Sequence, residues 1–121
     1  MTKKVLFIED DQQLQDIYRS ALSQKDILVI GAIDGKEGLE KVSTEKPDLI
    51  VLDIMLPSGI SGFDVLEQLK ANTLTKAIPV IVLTNLDSEE AVAKKIGAVD
   101  YKVKSNTSLA EIVDLIMKRL A

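Results

Sequence analysis

A chain of 121 residues, 46% apolar and 28% charged, has enough material for one packed domain and too much apolar content for disorder. Its formal net charge of −4, 3% aromatic content and absence of Trp argue against direct nucleic-acid binding. With neither Cys nor His, disulfides, thiolate zinc sites, cysteine nucleophiles and histidine triads are excluded. That leaves carboxylates, hydroxyls, amides, lysines and a hard cation to do any chemistry.

In chain order, Val5-Leu6-Phe7-Ile8 is an apolar run of strand length that stops at Glu9, Asp10 and Asp11. Four apolar residues are too few for a signal peptide, and no stretch is long enough to span a bilayer. A soluble, cytoplasmic protein is expected. Leu14, Ile17, Tyr18, Ala21 and Leu22 recur at helical spacing and predict an amphipathic helix. Ile27-Leu28-Val29-Ile30 is the next strand, and Asp34-Gly35-Lys36-Glu37 a capping box for a helix facing inward through Leu39 and Val42. Leu49-Ile50-Val51-Leu52 is a fully apolar strand that ends abruptly in Asp53. Ser61-Gly62-Phe63-Asp64 opens a third helix carrying Phe63, Leu66 and Leu69, and Pro79 opens the strand Val80-Ile81-Val82-Leu83, which ends at Thr84. Asp87-Ser88-Glu89-Glu90 has the form of another capping box, before a short helix that Gly97 terminates. Tyr101-Lys102-Val103 is a fifth strand ending at Lys104. Ser108 caps a last helix whose inner face is Leu109, Ile112, Val113, Ile116 and Leu120.

Five strand–helix units without a linker or repeat predict an α/β fold, a doubly wound parallel sheet filling residues 1–121 as one domain. Five units fit the strand order 2-1-3-4-5, the flavodoxin-like arrangement, with a switch point between the first and third strands. Ligands bind there, outside the carboxyl ends of the strands, and the first strand ends in Glu9-Asp10 and the third in Asp53. Two carboxylates about 4 Å apart repel by roughly 4 kcal/mol at an effective dielectric of 20, so three in one crevice call for a cation or shifted pKa values. Oxygen ligands without His or Cys suit Mg²⁺, Mn²⁺ or Ca²⁺. Thr84 and Lys104 border the same sheet edge, adding a hydroxyl donor and a fixed positive charge. A phosphoryl group wants those three partners.

These residues resemble the receiver domain of bacterial two-component response regulators, from Lys4 to about Leu120. The resemblance rests on Glu9-Asp10, Asp53-Ile54-Met55-Leu56-Pro57, Gly62, Thr84, Tyr101 and Lys104. It implies that Asp53 accepts a phosphoryl group from a histidine kinase or phosphotransfer protein. It also implies that Glu9, Asp10, Asp53 and the main-chain carbonyl of Met55 hold Mg²⁺. Lys104 and Thr84 would contact the phosphoryl group, and Thr84 with Tyr101 would form a mobile switch pair. The output would be protein contact or homodimerisation through the fourth helix, fifth strand and fifth helix, with no output domain in this chain, no direct nucleic acid and no membrane. The domain would be a regulatory phospho-acceptor rather than an enzyme, at most phosphorylating itself from small donors and dephosphorylating itself.

The chain departs from the family's usual pattern in residues 57–62, one residue longer than usual, and at Asn85, where a small residue is common. The stretch from Thr84 to Lys104 is about two residues short, and Ser105 replaces the proline that usually follows the lysine in a cis bond. Cis costs roughly 3–4 kcal/mol before a residue other than proline. The need to aim Lys104 at the crevice nonetheless favours cis, and a cis Lys104–Ser105 bond is the expectation. Two rivals fit less well. A Mg²⁺-dependent phosphohydrolase needs a second acid two residues after the nucleophile, where Met55 stands. An FMN protein needs a hydroxyl- and glycine-rich loop where Glu9-Asp10-Asp11 stands.

Overall fold

Alternation of β-branched runs with amphipathic segments builds five parallel strands and five helices, described for residues 2–121 of the computed structural model. In order these are β1 (Lys3–Ile8), α1 (Gln12–Ser23), β2 (Ile27–Ala32), α2 (Gly35–Glu45), β3 (Leu49–Leu52), α3 (Gly62–Ala71), β4 (Val80–Thr84), α4 (Glu90–Ile96), β5 (Asp100–Val103) and α5 (Leu109–Leu120). A 3₁₀ turn, Lys104–Asn106, joins β5 to α5. The sheet order is β2-β1-β3-β4-β5, as the unit count predicts. Among the described residues no helix is long and apolar enough to cross a membrane.

Because side chains alternate along a strand, each inner strand feeds two cores. Leu6, Ile8, Ile50, Leu52, Val80 and Val82 pack with Val42 of α2, Val65, Leu66 and Leu69 of α3 and Ala93 of α4. Val5, Phe7, Leu49, Val51, Ile81 and Leu83 pack with Tyr18 and Leu22 of α1 and Ile112, Val113 and Ile116 of α5. Full burial of a Leu or Ile contributes about 1.5–3 kcal/mol, so the central strands are the most costly part of the fold to displace. Register places the ends that matter side by side: Ile8 pairs with Leu52, Leu52 with Val82, and Thr84 with Val103.

Caps set the helix entries. Ser61 and Ser108 each close a reciprocal capping box, with Asp64 and Glu111. Asp34 accepts from the Glu37 amide, whereas the Glu37 carboxylate accepts from Ile33, one residue before the cap. The box expected at residues 87–90 does not form. Glu90 is the first residue of α4, and its carboxylate is drawn forward to Lys94 at 3.0 Å instead of back to the cap. Gly97 ends α4 as expected, at φ 140°, where a side chain would be strained and would meet the stem of Lys70.

Helical spacing overstates two faces. Ile17 and Leu109 remain 50% and 41% exposed, both lining an open pocket at α1 and α5. It also omits two inward residues, Gln15 of α1 and Val65 of α3.

Tyr18 stacks on Phe7 with ring centroids 4.8 Å apart. Burial pushes its phenol up to about 12, and burial also raises Tyr101. A raised folded pKa means that stability is intact below the ordinary value of 10 and is lost as pH rises toward 12. Titration of phenolate absorbance, with only two tyrosines and no Trp, should therefore show neither ring ionising near pH 10 in the folded chain. Tyr18→Phe should lose less stability than the parent across that window. An unshifted Tyr18 titration would contradict the packing described.

Candidate functional site

The carboxyl ends of β1, β3, β4 and β5 bring Glu9, Asp53, Thr84 and Lys104 to one edge of the sheet. Asp53 follows β3 directly, and its amide donates to the Ile8 carbonyl at 3.1 Å, extending the β1–β3 ladder by one bond. The Glu9 amide likewise donates to the Ala32 carbonyl at 2.9 Å. Both acids are therefore fixed by sheet hydrogen bonds, and both are buried, while Asp10 is exposed.

Gly62 seats α3 against this edge. A Cβ there would lie 2.2 Å from the Asp53 carbonyl oxygen, and the Gly62 amide donates to Ile54 at 2.9 Å. Only glycine allows that approach. The longer loop before it turns through Ser58 and Gly59, both left-handed at φ 70° and 86°.

One carboxylate oxygen each from Glu9, Asp10 and Asp53 lies within 4.8 Å of the others. At that separation each pair repels by roughly 3–4 kcal/mol at an effective dielectric of 20. The Lys104 ammonium offsets part of this, donating to Asp53 Oδ2 at 2.7 Å and reaching Glu9 Oε1 at 2.6 Å. Three carboxylates against one ammonium leave the cluster doubly negative. Each buried acid has a further donor: the Met55 amide to Asp53 Oδ1 at 2.9 Å and the Asp11 amide to Glu9 Oε2 at 3.0 Å. Burial raises the Glu9 pKa against the opposing pull of Lys104 and the Asp11 amide. Burial alone would lower Lys104, but its bonds to Asp53 and Glu9 outweigh that and hold the ammonium above its ordinary pKa.

The peptide geometry beneath Lys104 differs from expectation. Among the described residues no peptide bond is cis, so the Lys104–Ser105 bond is trans. The 3₁₀ turn Lys104–Asn106 redirects the backbone instead, and the long lysine stem covers the remaining distance to Asp53. The roughly 3–4 kcal/mol that cis would cost before serine is thereby avoided.

Thr84 is fully buried, its Oγ1 accepting from the Leu86 amide at 3.4 Å. The Leu86 carbonyl in turn accepts from the Tyr101 hydroxyl, with the Tyr101 ring buried against the α3–α4 side of the sheet. One residue, Leu86, thus joins through its amide and its carbonyl the two residues expected to form a switch, a link that no sequence pattern marks. Met55 is 55% exposed, its amide engaged by Asp53.

Sequence reasoning also missed Gln15, a buried amide on α1 that donates to the carbonyls of Glu9 and Ala32. Its spacing of three and seven residues before Tyr18 and Leu22 places it on the buried stripe. A polar residue on that stripe is the signal that could have identified it.

The geometry has close counterparts. The alkaline phosphatase synthesis transcriptional regulatory protein PhoP of Bacillus subtilis is 40% identical over 106 residues, covering 86% of this chain and 43% of PhoP. The chain thus spans less than half the length of that relative. The BeF3-activated N-terminal receiver domain of Klebsiella pneumoniae RstA superimposes with a TM-score of 0.87 at 31% identity, covering 98% of each chain. The Thermotoga maritima response regulator TrrA, solved in complex with Mg(2+)-BeF, gives a TM-score of 0.83 at 25% identity, covering 98% of this chain and 99% of TrrA. Residues 5–117 match the response regulator receiver domain, the family to which this chain belongs.

Proposed function

We propose that Asp53 is the phospho-acceptor of a two-component signalling switch. The observation that carries this is the placement of Lys104, 2.7 Å from Asp53 Oδ2 and 2.6 Å from Glu9, beside a third acid, Asp10. A nucleophilic carboxylate, a fixed cation and a cluster of hard oxygen donors is the set that phosphoryl transfer needs. An oxygen of Asp53 forms the new P–O bond as the P–N bond of a phosphohistidine breaks, the donor imidazole taking a proton from solvent. Lys104 then transfers its hydrogen bond to the phosphoryl oxygens, and Thr84 donates its hydroxyl to them. Self-phosphorylation from small phosphodonors and slow self-dephosphorylation use the same groups.

The donor set fits Mg²⁺, with Glu9, Asp10, Asp53 and the Met55 carbonyl as its holders. TrrA, solved with Mg(2+)-BeF, supports this assignment. When bound, the ion neutralises the charge that accumulates between the acids and the incoming phosphoryl group. The donor is a histidine kinase or phosphotransfer protein. A concave pocket of about 390 Å³ beside Lys104, lined by Leu14, Ile17, Tyr18 and Leu109, supports its approach over α1 and the start of α5.

Output runs through α4, β5 and α5, by contact with a downstream protein or a second copy. Movement of Thr84 toward the phosphoryl group releases the Leu86 amide, and the Leu86 backbone carries the change to the Tyr101 hydroxyl. PhoP is a transcriptional regulatory protein, so control of DNA binding from elsewhere in a longer protein fits this output. The charge argument against nucleic acid concerns only the stretch described.

Incubation with acetyl phosphate and Mg²⁺ should add one phosphoryl group by intact mass, and Asp53→Asn should abolish the gain entirely. A gain that survives points to another acceptor. Asp10→Ala should weaken Mg²⁺ binding at least about tenfold, or 1.4 kcal/mol. Unchanged affinity by calorimetry would remove Asp10 from the ligand set.

Lys104→Met leaves Glu9 and Asp53 buried without their cation. Breaking a buried pair costs about 3–5 kcal/mol, and partial exposure of Lys104 places this case at or below the low end. The raised Lys104 pKa means that its stabilisation is complete below 10.5 and is lost only as pH climbs through the folded value. The raised Glu9 pKa works the other way from a usual acid: the folded state holds that proton more tightly, so stability falls as pH rises from 4.5. Denaturant unfolding should therefore show a larger loss for Lys104→Met at about pH 7.5 than at about pH 5. An equal loss at both would mean that the ammonium is not the counter-ion of Glu9.

A further inference from the structure

The acid Asp10 is exposed, and the peptide groups on both sides of it are tied. The carbonyl of the Glu9–Asp10 peptide accepts from Gln15 Nε2 at 2.7 Å. The amide of the Asp10–Asp11 peptide donates to Glu9 Oε2 at 3.0 Å. Gln15 is itself buried, and the same nitrogen donates to the Ala32 carbonyl at 3.0 Å, which also accepts from the Glu9 amide. A single amide thus clamps the carboxyl ends of β1 and β2 at the residue preceding Asp10. Gly31, beside Ala32 on β2, makes the room: a Cβ there would lie 2.0 Å from Gln15 Oε1 and 2.7 Å from its Cδ.

We infer that Gln15, accommodated by Gly31, is a positioning residue for the divalent-cation site, acting through the backbone of Glu9 and Asp10. This rests on the proposal that Glu9, Asp10 and Asp53 hold a cation. A ligand on an unconstrained loop must be ordered when the ion binds, and that ordering lowers affinity. The clamp at Glu9 and the Asp11 amide bond remove most of that freedom in advance. Packing alone does not require an amide at Gln15, since a Met of similar size would fill the same space against β2.

The test uses Mn²⁺ as probe, with affinity read by electron paramagnetic resonance and the Glu9 amide followed by hydrogen exchange. Gln15→Met should weaken Mn²⁺ about tenfold, the low end of the loss seen when the partner behind a ligand is removed. It should also speed exchange at Glu9. Gly31→Ala displaces the Gln15 amide without altering it and should weaken Mn²⁺ to a similar degree. In the double variant the two effects should not add, because both remove one clamp. Val29→Ala, a core truncation on β2 outside the site, should lower stability but leave the Mn²⁺ affinity unchanged. If the parent chain binds Mn²⁺ and Gln15→Met binds it equally well, the positioning role is overturned while the metal site stands. If the parent does not bind Mn²⁺, both fall. Should Gly31→Ala fail to fold, Gln15→Met against Val29→Ala decides alone.

Discussion

A single ammonium between two buried carboxylates governs the crevice. Parallel strands that start and stop in step bring their carboxyl ends together, and here two of those ends carry acids on adjacent strands. Without a cation their repulsion would oppose the pairing of β1 with β3 at its last rungs. Lys104 supplies the charge from β5, two strands away from β3, so the sheet must be complete before the repulsion is offset. The same ammonium satisfies only two of the three acids. The remaining negative charge is what makes the edge receptive to a further cation.

Much of this was legible in the sequence because it follows from short-range rules. Uninterrupted runs of Val, Ile and Leu mark strands buried on both faces, and acids at the ends of two such runs cannot both be core. What was not legible depends on how elements settle against one another. Periodicity places Ile17 and Leu109 on inner faces, but whether a face closes depends on how its neighbours pack, and here both residues line an open pocket. The box at residues 87–90 has the right letters, yet Glu90 finds a better partner in Lys94 once the helix starts later. The cis expectation at Lys104 weighed reach against propensity without the third option, a 3₁₀ turn that needs neither. Gln15 and Leu86 act through backbone atoms, and backbone partners leave little trace in side-chain patterns.

Backbone bonds of two kinds meet at this edge of the sheet. Asp53 is secured by a ladder bond to β1 and Glu9 by one to the end of β2. Thr84 and Tyr101 are joined instead through a loop, by one long bond at 3.4 Å and one hydroxyl donation. Bonds of that kind can be exchanged without breaking a ladder or opening either core.

The same geometry separates a switch from a phosphohydrolase built on this sheet. Rapid turnover of an aspartyl phosphate needs a base or acid aligned with the attacking water, and a nucleophile alone does not provide one. Two residues beyond Asp53 the chain has Met55, whose side chain points outward and is 55% exposed. Glu9, the carboxylate whose pKa burial raises, is already engaged at one oxygen by Lys104 and at the other by the Asp11 amide. Thr84 can donate a hydrogen bond but has no tendency to act as a base near neutral pH. A phosphoryl group placed on Asp53 would then be well stabilised and poorly attacked. Persistence of that kind defeats an enzyme and serves a signal, because the modified state must last long enough to be read.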